Sequence, residues 1–144
     1  MAKSLSQTGE GPRPEVVLRA FFVAMNRWER SVWRANERLL KAGRPHQLDQ
    51  NHWLQQKLAI IVEHCTAKRR VYTEGLSFGD PPKYDPAEEI TGVEYESSSR
   101  VVVFTQQLTG FENRRRFVLL KRGGRWQIDN VQWQDGRRWE RDIL

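Results

Sequence analysis

Three histidines, a single cysteine, six tryptophans and two runs of basic residues carry the distinctive chemistry of this chain. His46, His52 and His64 are scattered, with Cys65 beside the last, and their intervals match no recurrent zinc-ligand spacing. His64 and Cys65 are neighbours near a helix end. Adjacent helical residues point about 100° apart, so the two do not form a nucleophile–base pair. Cys65 reads instead as a small buried apolar residue. No metal and no cofactor is therefore expected. The Gly-Gly at 123 has no helix after it, so it is a turn and not a phosphate loop.

The basic runs are Lys68-Arg69-Arg70 and Arg114-Arg115-Arg116. On a strand the second run alternates between faces and makes no single patch. Nucleic-acid recognition wants clustered cations interleaved with aromatics, so a solvated face is the better reading for both. Trp28 and Trp126 fit core stripes. Trp139, in the charged tail DGRRWERDIL, has two readings. It is an interface anchor beside Arg137 and Arg138, or it folds back to cover an edge strand. The segment FGDPPKYDPAEE sets Tyr84 among carboxylates on a proline-stiffened loop. Such a loop loses little entropy on binding, although a plain connector has the same composition.

The elements that must position these residues follow from periodicity. Pro14 suits the first turn of a helix, and Gly43 with Pro45 suits its end. Between them Val17, Phe21, Ala24, Trp28, Val32, Ala35 and Leu39 recur at helical spacing, with Phe22, Met25 and Trp33 broadening the face. A second helix is expected from Asp49, as N-cap, to Cys65, with Trp53, Leu54, Leu58, Ile61 and Val62 as its apolar side. Gly and Pro punctuate the stretch 66–89, where a short strand is expected around 75–78. Four strands follow, near 90–96, 100–108, 111–120 and 125–133. The last two form a hairpin at Gly123-Gly124, where both residues tolerate positive φ. Trp126 and Ile128 are out of phase with Val131 and Trp133, which predicts a bulge near Asp129-Asn130. The fold class is α+β: two N-terminal helices packed on a curved antiparallel sheet of about four strands, a cone-like roll. Residues 1–13 read as a flexible lead, and 14–144 as a single domain.

The formal net charge is +6, a weak pointer to anionic partners. It is unevenly spread: residues 80–96 hold Asp80, Asp85, Glu88, Glu89, Glu94 and Glu96 against Lys83 alone. No apolar run approaches the ~18 residues of a membrane span, and the first residues lack the apolar core of a signal peptide. The expected location is the cytoplasm.

The closing stretch GGRWQIDNVQW, after two helices and a meander, resembles the nuclear-transport-factor-2-like superfamily. Four other stretches narrow the likeness: RAFFVAMNRWER, GLSFGDPPKYDPAEEI, VVVFTQQLTGFENRRRFVLLKRGGRWQID and the DGRRW tail. Together they are similar to the bacterial immunity-protein family with this fold, found beside polymorphic toxins, including those of rearrangement-hotspot type. The resemblance implies a cytoplasmic protein without catalysis that binds a cognate toxin domain and blocks its active site or its substrate's approach. It implies no particular contact residues. The physical reading supplies those: Tyr84, Asp85, Glu88 and Glu89 on the loop, and Arg137, Arg138 and Trp139 on the tail. The carboxylates suit toxin cations and the aromatics suit buried anchors. Neither nucleic acid nor membrane is an expected partner; an exposed sheet face leaves a homodimer open. The competing reading is an isomerase- or dehydratase-type enzyme on the same fold, for which Tyr95 with Glu63 or Asp129 is the best acid–base pair available.

Overall fold

The computed structural model describes residues 11–70, 76–142 and 144. Most of the expected lead therefore lies outside the described residues, as does part of the strand expected near 75–78; residues 76–78 form no strand. Helix α1 spans Pro14–Lys41, with Pro14 in the first turn and Arg38 and Lys41 in the last. Helix α2 spans Gln50–His64, and the Asp49 carboxylate accepts from the His52 N–H at 3.1 Å. Five strands follow, β1 Glu89–Ser97, β2 Arg100–Gln106, β3 Arg114–Arg122, β4 Arg125–Asp135 and β5 Arg138–Arg141. They pair antiparallel in sequence order. Among the described residues no helix is long and apolar enough to cross a membrane.

The expected architecture holds with one strand added. The tail folds back on β4 as β5, pairing Gln134 with Trp139 and Asp135 with Arg138. Four residues with no alternation of their own gave no strand signal. The turn glycines have φ of 59° and 75°, as a two-residue hairpin turn requires. The bulge falls where the phase changes: Val118 pairs with Asn130 and Leu119 with Ile128, leaving Asp129 unmatched.

The helices cover one face of the sheet. Val101 and Val103 of β2, Phe117 and Leu119 of β3, and Ile128 and Val131 of β4 meet Leu18, Phe21, Phe22, Met25, Trp28 and Val32 of α1. The helix is thus rotated slightly from the expected stripe, with Val17 and Ala24 only half-buried. The larger Leu18, Phe22 and Met25 side chains remove more apolar area from water. On α2, Ile61 is buried, but Val62 is 78% exposed, against expectation. Lys57 replaces it at the interface, its ammonium 5.8 Å from the centre of the Trp28 ring.

Candidate functional site

The loop before β1 sends two of its side chains, Tyr84 and Glu88, into the core. Tyr84 is 0% exposed, stacked on Phe22 and set edge-on to Phe21. The Arg115 guanidinium lies 4.7 Å from its ring centre. Burial pushes the Tyr84 hydroxyl well above its ordinary pKa. Glu88 is also fully buried. It accepts from Thr105 Oγ1 at 2.6 Å and from Arg115 Nε at 3.1 Å, with a second contact from Arg115 Nη2. Arg115 is therefore not part of a solvated basic face. Strand alternation sends it inward, where it pairs with Glu88, while Arg114 and Arg116 point outward. Tyr84 and Glu88 hold the loop inside the domain and offer no surface to a partner in this structure.

A second carboxylate organises the turn ahead of Tyr84. Glu29, buried on α1, accepts from the Gly79 N–H at 2.7 Å and the Lys83 N–H at 2.9 Å. These two donors flank Pro81 and Pro82, which have no N–H of their own. Burial raises the Glu29 pKa, against the lowering effect of those two hydrogen bonds. The Lys83 carbonyl in turn accepts from Gln107 Nε2 at 3.2 Å, and the Lys83 ammonium pairs with Asp142 at 3.2 Å. Burial lowers the Lys83 pKa, and Asp142 opposes that shift.

Gln107 also closes the β2–β3 loop. Its side-chain oxygen accepts from the Asn113 N–H, and its own N–H donates to the Asn113 carbonyl. Gly110 and Glu112 both take positive φ inside that loop. The tight reversal thrusts Phe111 into solvent, where it is 91% exposed, with Leu108 half-exposed beside it. Between this loop and the 78–83 turn opens a cleft of about 970 Å³. Glu29, Lys83, Arg115, Trp133 and Asp142 line it, with Phe78 and Phe111 at its aromatic walls.

The outer face of the sheet, away from the helices, carries a stack at the same end. Arg116 lies 4.4 Å from the Trp139 ring centre and donates to Gln132 Oε1 at 2.6 Å; Phe104 packs 6.1 Å from Trp139. Trp139 thus folds back to cover the β4 edge, the second of its two readings, and remains half-exposed. Register fixes the rest. Glu89 pairs with Gln106, Gln106 with Arg114, and Trp139 with Gln134 at the far edge. Five strands span about 19 Å at the usual strand spacing. Glu89, Arg137, Arg138 and Trp139 therefore gather at the end of the sheet that holds the cleft, with Asp85 on the adjoining turn. Sequence reasoning missed Phe111, which it placed at the start of a strand; the Thr109-Gly110 pair was the available turn signal.

Elsewhere the chemistry is structural. Cys65 is buried, and burial pushes its thiol up to about 12. His64 Nδ1 lies 3.0 Å from the Ile60 carbonyl. Asp129 accepts from Thr66 at 2.7 Å and pairs with Lys68 at 3.1 Å. Burial alone would raise its pKa, but Thr66, Lys68 and Arg70 outweigh burial and hold it below the ordinary value. Tyr95 packs against Trp126, and Glu63 sits on the solvent side of α2. Among the described residues no hydrogen bond or ion pair joins any two of Tyr95, Glu63 and Asp129. Among the described residues no group of three His, Cys, Asp or Glu side chains is placed to hold a metal ion.

A helix pair over a five-strand meander, with a polar-floored cleft at one end, defines an α+β domain of the nuclear-transport-factor-2 type. Residues 13–142 match the family described as NTF2 fold immunity protein, and the chain belongs to that family. It is similar to the immunity protein RhsIA of Dickeya dadantii (strain 3937), at 32% identity over 126 residues, covering 83% of this chain and 86% of the relative. No solved structure matches.

Proposed function

We propose that this protein binds and neutralises a cognate bacterial toxin domain, without catalysis of its own, by blocking the toxin's active site or the approach of its substrate. The reading adds a mode of action to family membership. The observation that carries it is Phe111: a phenylalanine 91% exposed at the mouth of a cleft, at the end of the sheet whose outer face carries a Trp–Arg stack. Exposed aromatics are the composition of interface anchors, and a domain leaves them bare at a cost unless a partner covers them. The contact surface of this reading is the cleft end: Phe111 and Leu108, then Asp85 and Glu89 on one side and Arg137, Arg138 and Trp139 on the other. Carboxylates and cations at opposite edges give such an interface a preferred orientation.

The test is co-expression. The toxin domain encoded immediately upstream is produced in a susceptible host with and without this protein, and any complex is purified. Survival with a stoichiometric complex is the expected result. Continued killing with no complex would refute the reading.

A further inference from the structure

We infer that the exposed face of α1, along its C-terminal half, docks an acidic surface of the toxin domain. The inference rests on the toxin-binding reading and names the chemistry of the partner surface that meets this helix. Three observations carry it.

First, the cations form one row. Arg27, Arg30, Arg34, Arg38 and Lys41 are all exposed, and at about 100° per residue they fall within an arc of about 80°. The row lies opposite Phe21, Met25, Trp28 and Val32, which face the core, and runs for about 21 Å. Second, the row is uncommitted. Among the described residues no ion pair engages any of the five. The acids of α1 leave it unmatched: Glu15 sits in the first turn, Glu29 is buried on the core side, and Glu37 pairs with none of the row. Arg38 and Lys41 stand in the last turn, where the helix dipole favours cations. The dipole does not account for Arg27, Arg30 and Arg34. Arg30, Arg34 and Arg38 also set like charges four residues apart, which weakens a helix, whereas a merely solvated face gains from alternating signs. Third, position and shape select a carboxylate-bearing protein surface. Arg30 and Arg34 share a small recess with Gly79, Asp80 and Pro82, so the row borders the cleft-end surface. No aromatic ring lies in the arc for bases to stack on, because Trp33 turns aside to pack edge-on to Phe78 at 6.5 Å. Carboxylates need only the guanidinium forks, which bind them bidentately.

The test uses the full-length protein and the cognate toxin domain found by co-expression. Association is timed by stopped flow over a range of salt concentrations for the wild type, Phe111→Ala and two double variants. One double reverses the row, Arg30→Glu with Arg34→Glu. The other, Arg122→Glu with Arg125→Glu, changes the net charge equally at the β3–β4 hairpin turn, the opposite end of the sheet. All four arginines are exposed, and thermal melting confirms that each variant is folded. The expected result is association at least tenfold slower for the row variant at low salt, a gap that closes as salt rises, and a much smaller change for the hairpin variant. Equal slowing in the two doubles would overturn the docking surface in favour of steering by net charge. Wild-type rate and affinity in the row variant, with Phe111→Ala still weakened, would overturn it and leave the toxin-binding reading standing. Faster association by the row variant would overturn it by identifying a basic toxin surface. A mixed-sequence DNA duplex of about 20 base pairs is titrated in parallel. Duplex binding that the row variant loses while its toxin binding is intact would overturn the inference by identifying nucleic acid as the occupant. No toxin binding by the wild type removes the toxin-binding reading and this inference with it.

Discussion

Replacing Arg115 with methionine isolates the interaction that holds the 76–88 loop in the core. Methionine keeps most of the apolar stem that packs among Phe22, Tyr84 and Phe117. It removes the guanidinium from Glu88, which is 0% exposed and then keeps only the Thr105 hydroxyl. Breaking a buried pair from one side leaves an uncompensated charge and costs about 3–5 kcal/mol. At about 2–4 °C per kcal/mol for a domain near this size, the melting temperature falls by roughly 6–20 °C. Glu88→Leu combined with Arg115→Met removes both charges and recovers most of that loss, because apolar replacements of a buried pair are often close to neutral. The assay is urea and thermal unfolding of the two single variants and the double, read as a double-mutant cycle. A loss under about 1 kcal/mol for Arg115→Met, or a double variant less stable than either single one, would refute the reasoning.

Other perturbations separate binding from folding. Phe111→Ala leaves the melting temperature within about 1 °C, since almost none of the ring is buried, and weakens toxin binding at least tenfold; calorimetry and titration check both. Trp139→Ala removes the ring over Arg116, costs about 1 kcal/mol of stability and reduces toxin affinity by roughly a hundredfold, measured by the same pair of assays. Asp129→Asn loses about 2 kcal/mol at pH 7, because Thr66 and Lys68 then face a neutral amide. The folded pKa of Asp129 is depressed, so its contribution is present above the unfolded value of about 3.9 and is lost as pH falls through the folded one. The gap between wild type and variant in acid titration therefore closes below about pH 4. Asp49→Ala deprives the His52 N–H of its acceptor and costs about 1 kcal/mol by urea unfolding.

The fold was largely legible because its signals are local. Pro14, Asp49, the Gly-Gly turn and the phase change at Asp129 each act through their own backbone, and each did what its chemistry predicts. The site was less legible because it depends on contacts distant in sequence. Glu88 and Tyr84 look like surface residues in a charged loop until Arg115 and Phe22 are seen to meet them. Alternation correctly split Arg114, Arg115 and Arg116 between two faces, but it did not say that the inward member would find a carboxylate. The tail strand needed the β4 edge as its template. The exposure of Phe111 depends on a loop closed by Gln107, a bond that no periodicity encodes.

The central claim is that the cleft end of the sheet receives the toxin. Amide hydrogen exchange of the protein, alone and saturated with the cognate toxin domain found by co-expression, tests it most directly. The account predicts added protection in residues 78–85, 107–113 and 134–139, with little change along the exposed side of α2. Protection confined to α1 and α2, with the β2–β3 loop exchanging as fast as in the free protein, would contradict it.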